Sequence, residues 1–185
     1  MTRIIAGAAG SLTLGVPDAG TRPTSERVRE SLFGALDAAD AVSDAAVLDL
    51  YAGSGALGLE AVSRGAASAD LVERAPKAAK VAEQNARAVG RSVPQAALRV
   101  HRAAADAFLR QGATRWDLVF IDPPYDLSDD ELTATLTLLT PRLTPDALVV
   151  LERSSRSPEP SLPAGLVVER SKRYGDTTLW WVGAG

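Results

Sequence analysis

From Ala46 onward the chain alternates between two hydrophobic rhythms. Short apolar runs at residues 46–51, 69–73, 98–101, 116–121 and 147–152 have the length and the branched or aromatic content of buried strands. Between them lie segments with helical signals. Residues 56–63 follow a glycine turn, 76–89 have Pro76 near N1 and Gly90 as a stop, and 105–111 form a shorter piece. Asp129, Asp130 and Glu131 start one more helix, which Pro141 ends, and their charges complement its positive end. Strand and helix in regular alternation predict an α/β domain, with a parallel sheet covered on both faces.

The rhythm changes at both ends. Residues 2–5 and 12–14 read as two short strands around Ala6-Gly7-Ala8-Ala9-Gly10, too small to stand alone, so they must dock on the main domain or on a partner. Arg22-Pro23-Thr24 opens a helix with Thr24 as N-cap and Glu26 in the first turn. Val28, Leu32, Phe33 and Leu36 give that helix one buried face. Arg27 and Arg29 fall off it, to hold phosphate or to face water. After a proline-rich loop at 154–163, residues 166–172 and 177–182 read as a hairpin through Tyr174-Gly175-Asp176. At least one of its strands then runs antiparallel to the rest. The expected organisation is a hairpin-and-helix extension over residues 1–40 and a main domain over 41–185.

Composition narrows the function classes. With 46% hydrophobic residues in 185, the chain can bury a real core. No apolar stretch approaches the roughly 18–20 residues of a membrane span, and Met1-Thr2-Arg3-Ile4-Ile5 lacks the design of a signal peptide. A cytoplasmic protein without membrane contact is expected. Cysteine is absent and His101 is the single histidine, so neither disulfides nor a thiolate or histidine metal centre is expected. A net charge of -3 argues against non-specific coating of nucleic acid, but leaves room for a local basic face. Arginines gather at Arg3, Arg22, Arg27 and Arg29, at Arg99, Arg102, Arg110 and Arg115, and late in the chain with Lys172 at Arg170 and Arg173.

The most informative run is Asp49-Leu50-Tyr51-Ala52-Gly53-Ser54-Gly55-Ala56-Leu57-Gly58. Glycines where a strand meets a helix let a ligand approach the backbone, and the helix start offers unpaired N–H groups. Glu73 closes the next strand, where an acidic residue commonly grips a ribose diol. Gly53-x-Gly55-x-x-Gly58 formally satisfies a dinucleotide fingerprint. Against that ligand, a carboxylate at Asp49 repels pyrophosphate and attracts an ammonium group. No histidine or Tyr-x-x-x-Lys-like pair supplies a proton for hydride chemistry. S-adenosylmethionine carries an amino acid, a ribose and an adenine but no phosphate. Asp49 and the Gly53-Ser54-Gly55 loop would meet its amino-acid end and Glu73 its ribose. Asp106 would accept from the adenine amino group, or serve only as a helix N-terminal residue.

Asp122-Pro123-Pro124-Tyr125 follows a buried strand. Two prolines fix φ and carry no N–H, so they make a stiff turn presenting a carboxylate, carbonyls and a ring. Such a turn suits a planar group bearing an amino function. The plain structural alternative makes Tyr125 a lid on the core.

Taken together, Asp49-x-Tyr51-x-Gly53-x-Gly55 and Asp122-Pro-Pro-Tyr125 resemble the class I methyltransferases that use S-adenosylmethionine to modify exocyclic amino groups, in which an aromatic residue such as Tyr51 often replaces the first glycine. Arg3-Ile4-Ile5-Ala6-Gly7, Arg22-Pro23-Thr24-x-x-Arg27-Val28-Arg29-Glu30-Ser31-Leu32-Phe33, residues 48–64 and Tyr174-Gly175-Asp176-Thr177 extend the resemblance to the RsmD family, nearly end to end. The resemblance implies a Rossmann-like methyltransferase sheet and a monomer that methylates the N2 amino group of one guanine in 16S rRNA of the small ribosomal subunit. It gives Asp122, Pro123 and Tyr125 catalytic roles and Pro124, Arg22 and Arg27 contact with substrate. Thr24 is brought to the amino-acid end of the cofactor. In one respect the chain departs from the family. The hairpin loop, as a rule rich in Arg or Lys, has no basic residue between Ala6 and Leu12. Methylation of adenine N6, or a non-catalytic role in ribosome assembly, is the alternative.

Overall fold

In the computed structural model, which describes residues 2–17 and 25–185, the first elements are two short antiparallel strands, β1 (Thr2–Arg3) and β2 (Thr13–Leu14). Helix α1 (Glu26–Ala38) follows. Its N-cap is Ser25, whose hydroxyl accepts from the Val28 N–H, and not Thr24 as expected; Thr24, Pro23 and Arg22 lie outside the described residues. Strand β3 (Ala46–Asp49), helix α2 (Ala56–Ser63), strand β4 (Ser68–Val72), helix α3 (Pro76–Gly90) and strand β5 (Ala97–His101) come next. Gly90 is the last helical residue of α3 and not a stop beyond it. A short helix α4 (Ala105–Leu109), strand β6 (Trp116–Ile121) and helix α5 (Asp129–Leu139) lead into the long β7 (Leu143–Ser154). The chain closes with β8 (Leu166–Tyr174) and β9 (Thr177–Ala184).

Seven strands form one sheet in the order β5-β4-β3-β6-β7-β9-β8. All pairs are parallel except those of β9, which runs against both of its neighbours. Thus β8 points the same way as the parallel strands. Strand β7 begins four residues before the expected Ala147. The β6–β7 register shifts between Trp116 and Leu118, and that irregularity accommodates Pro145 inside a strand.

Alternate residues feed two cores, as a period of two requires. Val47, Leu118 and Phe120 join Leu32, Phe33 and Leu59 beneath α1 and α2, while Leu48, Val119 and Ile121 join Leu132 and Leu136 beneath α5. Asp70, on β4, accepts from Trp116 Nε1 (3.0 Å) and pairs with His101 Nε2 (2.8 Å).

The N-terminal hairpin is fastened to α2 by one buried carboxylate. Glu60 is wholly inaccessible and accepts from the N–H groups of Ile5 (2.7 Å) and Ala6 (3.1 Å) and from Arg64 Nε (2.7 Å). One turn on, the Ser63 hydroxyl accepts from the Ala9 N–H (2.9 Å), and the Ser63 carbonyl from the Ala8 N–H (2.8 Å). Gly7 has φ +84°, and a Cβ there would fall 1.8 Å from that carbonyl, so only glycine fits. Arg29 corrects the sequence reading. It neither faces water nor stands off the buried face; it is 1% exposed, donates from Nη2 to Thr2 Oγ1 (2.7 Å) and the Arg3 carbonyl (2.9 Å), and lies 3.9 Å from Glu60.

Glu60→Ala leaves the Ile5 and Ala6 N–H groups and Arg64 Nε without their acceptor, and the buried Arg29 without its counter-charge. Denaturant unfolding of that variant should show a loss of about 3–5 kcal/mol. Hydrogen exchange at Ile5 and Ala6 should accelerate, and unchanged protection at both amides would contradict this account of the hairpin.

Candidate active site

The sheet reverses its winding between β3 and β6, and ligands of such sheets bind beyond the carboxyl ends of the strands at that point. Asp49 ends β3, and Asp122 follows two residues after Phe120, its register partner. The topology therefore brings the glycine loop and the Asp-Pro-Pro-Tyr turn, some 70 residues apart in sequence, to one place.

The loop is shaped by contact with β4. A Cβ on Gly58 would lie 2.4 Å from Leu71 Cδ2 and 3.2 Å from Asp49 Cβ, so α2 sits as close to the sheet as glycine permits. Gly55 likewise packs on Leu71 and does not line the cleft. Gly53, with φ +55°, faces open space instead, and a ligand can approach its backbone. Asp49 is 1% exposed and its Oδ2 accepts from the Gly58 N–H (3.0 Å). Burial pushes its carboxyl up to about 7; the Gly58 bond opposes that shift and the charge of Glu73 adds to it. Glu73 accepts from the N–H groups of Gly53 (3.0 Å) and Ala75 (2.7 Å), so one carboxylate spans the ends of β3 and β4.

Asn85 on α3 is a residue the sequence reading missed. Its amide nitrogen donates to the carbonyls of Ser54 (2.8 Å) and Gly15 (2.9 Å), and its oxygen accepts from the Gly15 N–H (2.9 Å). It ties the chain leaving the hairpin to the glycine loop. The signal was present: an amide on the otherwise apolar face formed by Ala78, Ala82 and Val89.

At the other wall, Pro123 is buried and Pro124 exposed, and the Pro124 carbonyl accepts from the Leu127 N–H (3.0 Å) to close a turn. Tyr125 is 79% exposed, so it is no lid on the core. Two devices fix the turn. Ser128 and Glu131 cap α5 reciprocally. Arg153, on β7, donates to the Leu127 carbonyl (3.2 Å) and to Asp129 (2.6 Å).

These walls enclose a cleft of about 1020 Å³. That is the upper end of the range of roughly 300–1,000 Å³ for a ligand site. Asp49, Tyr51, Gly53, Ser54, Glu73, Asp106, Asp122, Pro123, Pro124 and Tyr125 all line it. Asp106 stands in the first turn of α4 and on the cleft wall. Burial raises the Tyr51 phenol above its ordinary value, with the Thr135 hydroxyl pulling the other way. Of the cations expected near substrate, Arg27 is exposed on α1 and off the cleft wall, and Arg22 lies outside the described residues. Arg29 lines the cleft instead, and its Nε and Nη1 have no hydrogen bond among the described residues.

The balance of charge is informative. Among the described residues the lining carries seven carboxylates (Asp49, Glu73, Asp106, Asp122, Asp126, Glu131 and Glu152) against three guanidiniums (Arg29, Arg74 and Arg110). Such a wall attracts a cationic ligand and repels a pyrophosphate. The described residues contain no cluster of His, Cys, Asp and Glu arranged to hold a metal ion, and no helix long and apolar enough to cross a membrane.

The same chain pattern recurs in known proteins. The family described as Conserved hypothetical protein 95 matches residues 2–183. Ribosomal RNA small subunit methyltransferase D of Escherichia coli K12 is 38% identical over 94% of this chain and 85% of its own length. YlbH of Bacillus subtilis is 33% identical over 95% of each chain. The solved structure of yhhF from Escherichia coli superposes with a TM-score of 0.85 at 35% identity, covering 98% of this chain and 97% of that one. The sheet with its antiparallel β9 is thus that of the class I methyltransferases, and the chain belongs to the RsmD family of ribosomal RNA methyltransferases.

Proposed function

We propose that this enzyme transfers a methyl group from S-adenosylmethionine to the exocyclic N2 amino group of a guanine in 16S rRNA, within the small ribosomal subunit. The observation that carries the reading is a single acidic cleft whose walls are the glycine loop on one side and the Asp-Pro-Pro-Tyr turn on the other. A sulfonium cofactor with an ammonium group suits those carboxylates where a dinucleotide does not.

The residues fit the cofactor part by part. Asp49 and the backbone of Gly53 and Ser54 hold its amino-acid end. Glu73 retains acceptor capacity for a ribose diol beyond its two backbone donors. Asp106 accepts from the adenine amino group and Tyr51 packs alongside. When bound, the cofactor supplies an electrophilic methyl on a positively charged sulfur. Gly55 acts by packing, since Leu71 occupies the space its side chain would need.

On the acceptor side, the lone pair of guanine N2 is delocalised into the ring, so the amine is a weak nucleophile. Asp122 and the Pro123 carbonyl accept hydrogen bonds from its two hydrogens, which localises the lone pair and aims it across the cleft, and one N2 proton passes to water once the nitrogen is methylated. Tyr125, standing out from the turn, stacks on the base. Pro124 stiffens the turn, and Arg153 and the α5 cap hold it in place. Orientation and electrostatics provide most of the rate. The base must be unpaired or extruded to enter. Arg27, exposed on α1, contributes a cation on the substrate side.

Asp122→Ala should abolish methyl transfer to small ribosomal subunits while leaving cofactor affinity within about twofold by calorimetry; full turnover would overturn the assignment. Tyr125→Ala should be far more damaging than Tyr125→Phe, because stacking and not the hydroxyl is at stake, and equal losses would argue for the hydroxyl. Radiolabelled transfer to subunits, naked 16S rRNA and DNA, followed by nucleoside analysis, identifies the base. N6-methyladenine as product would replace guanine in this reading.

Asp49 makes a pH-dependent prediction. Its carboxyl lies about 7 in the folded protein against an ordinary value of 3.8. The native state therefore binds the extra proton between those values, and stability contributed by this group falls as pH rises from about 4 to about 7. Asp49→Asn should remove that part of the slope in urea unfolding. A cofactor ammonium favours the carboxylate, so wild-type affinity should weaken by about tenfold per unit as pH drops below about 7, with proton release on binding. Identical pH profiles for wild type and Asp49→Asn would reject the pairing.

A further inference from the structure

The hairpin loop that lacks basic residues is seated at the wrong end of the molecule to grip RNA at the cleft. Its N–H groups bond to Ser63 at the C-terminal end of α2, whereas the cleft lies at the N-terminal end. Eight helical residues, about 12 Å, separate the two. The cleft itself is acidic and repels phosphate. Phosphodiester contacts must therefore come from another surface near the mouth.

The seam between α1 and β8 is such a surface. Strand β8 runs with the parallel strands, so its last residues reach the cleft end of the sheet. The turn after it accepts from the Ser155 N–H through the Asp176 carbonyl (2.8 Å). Thr177 shares a small recess with Asp122 and Tyr125. Arg170 and Lys172 project from one face of β8, about 7 Å apart by strand spacing. That is comparable to the separation of adjacent phosphates on one strand.

Both cations are exposed, yet both are held. The Arg170 guanidinium lies 4.1 Å from the centroid of the Trp181 ring. Lys172 Nζ lies 5.0 Å from the Tyr174 ring and 3.4 Å from Ser31 Oγ, while Ser31 and the Tyr174 hydroxyl are 2.7 Å apart. Arg27 stands one turn before Ser31 on the same face of α1 and extends the row. Of the acids nearby, Glu26 is paired with Arg3, the Glu169 carboxylate lies against Gly183, and Glu30, three residues after Arg27 on α1, acts on Arg3 by its charge. A solvated lysine or arginine gives up side-chain entropy when it binds an anion, and cations already parked on aromatic faces give up less.

We propose that Arg170 and Lys172, continued by Arg27, form the phosphate-binding track that guides a single-stranded segment of rRNA to the Asp-Pro-Pro-Tyr mouth. This rests on the function proposed above, and deepens it by naming the surface that meets the RNA backbone. It supplies the contact that the hairpin loop of this chain does not make.

The test is binding of purified small ribosomal subunits across a salt series. The double variant Arg170→Gln, Lys172→Gln should bind about tenfold more weakly near 0.1 M salt, and its log–log salt slope should be shallower by roughly 1.4, the release expected for two single-strand phosphate contacts. The charge-keeping double variant Arg170→Lys, Lys172→Arg should restore most of the slope. Equal thermal midpoints and equal cofactor affinity certify the fold and the cofactor site. Unchanged affinity and slope in the Gln variant overturn the proposal. So does weaker binding with an unchanged slope, which would mark the seam as a contact for a ribosomal protein. If the unmodified protein binds subunits through these charges but transfers no methyl group, the proposed reaction fails and the track stands. Efficient methylation with an unimpaired Gln variant refutes the track and leaves the reaction standing.

Discussion

How closely α2 approaches β3 and β4 governs the rest of the molecule. Gly58 lets the helix touch Leu71 and Asp49, and its N–H is satisfied by the Asp49 carboxylate in a site with almost no solvent. That single contact aligns the helix start with the end of β3, opens the Gly53 backbone toward the cleft, and holds a carboxyl where burial raises it to about 7. A larger residue at position 58 would displace the helix and every group that depends on its position.

The same helix carries the second anchor. Glu60 faces away from the cleft and collects N–H groups from the N-terminal hairpin, with Arg64 and Arg29 as counter-charges. A buried carboxylate of this kind adds little net stability, yet removing one partner is costly, so its effect is to specify a geometry. Through Arg29 and Asn85 that geometry reaches the cleft: one lines it, the other binds the Ser54 carbonyl. The hairpin is thus built into the frame of the site. The proposed phosphate track lies instead on exposed cations of the seam between α1 and β8, which are not part of the acidic cleft lining.

The sheet was legible because its signals are local. Trp116–Ile121 and the glycine turn before Ala56 matched residue for residue, since a buried strand needs a continuous apolar run and a strand-to-helix turn needs glycine. Errors gathered where tertiary contacts overrule local rules. Arg29 reads as a solvated residue until Glu60, 31 positions away, arrives beside it. The early part of β7 is hidden by Pro145, tolerated because the β6–β7 register slips there. Thr24 and Ser25 are both competent caps, and only the course of the chain selects Ser25.

The sequence by itself determined the alternation of elements, the glycine loop and the acidic residues at the strand ends, Asp49, Glu73 and Asp122, because composition and spacing along the chain encode them directly. The tertiary structure decided that these groups share one cleft, that the cleft is acidic, and that Tyr125 stands out from it. It also decided which arginines face solvent and which are buried. Those properties depend on distance through space between residues far apart in sequence, and on how much water each charge keeps, neither of which a linear pattern contains.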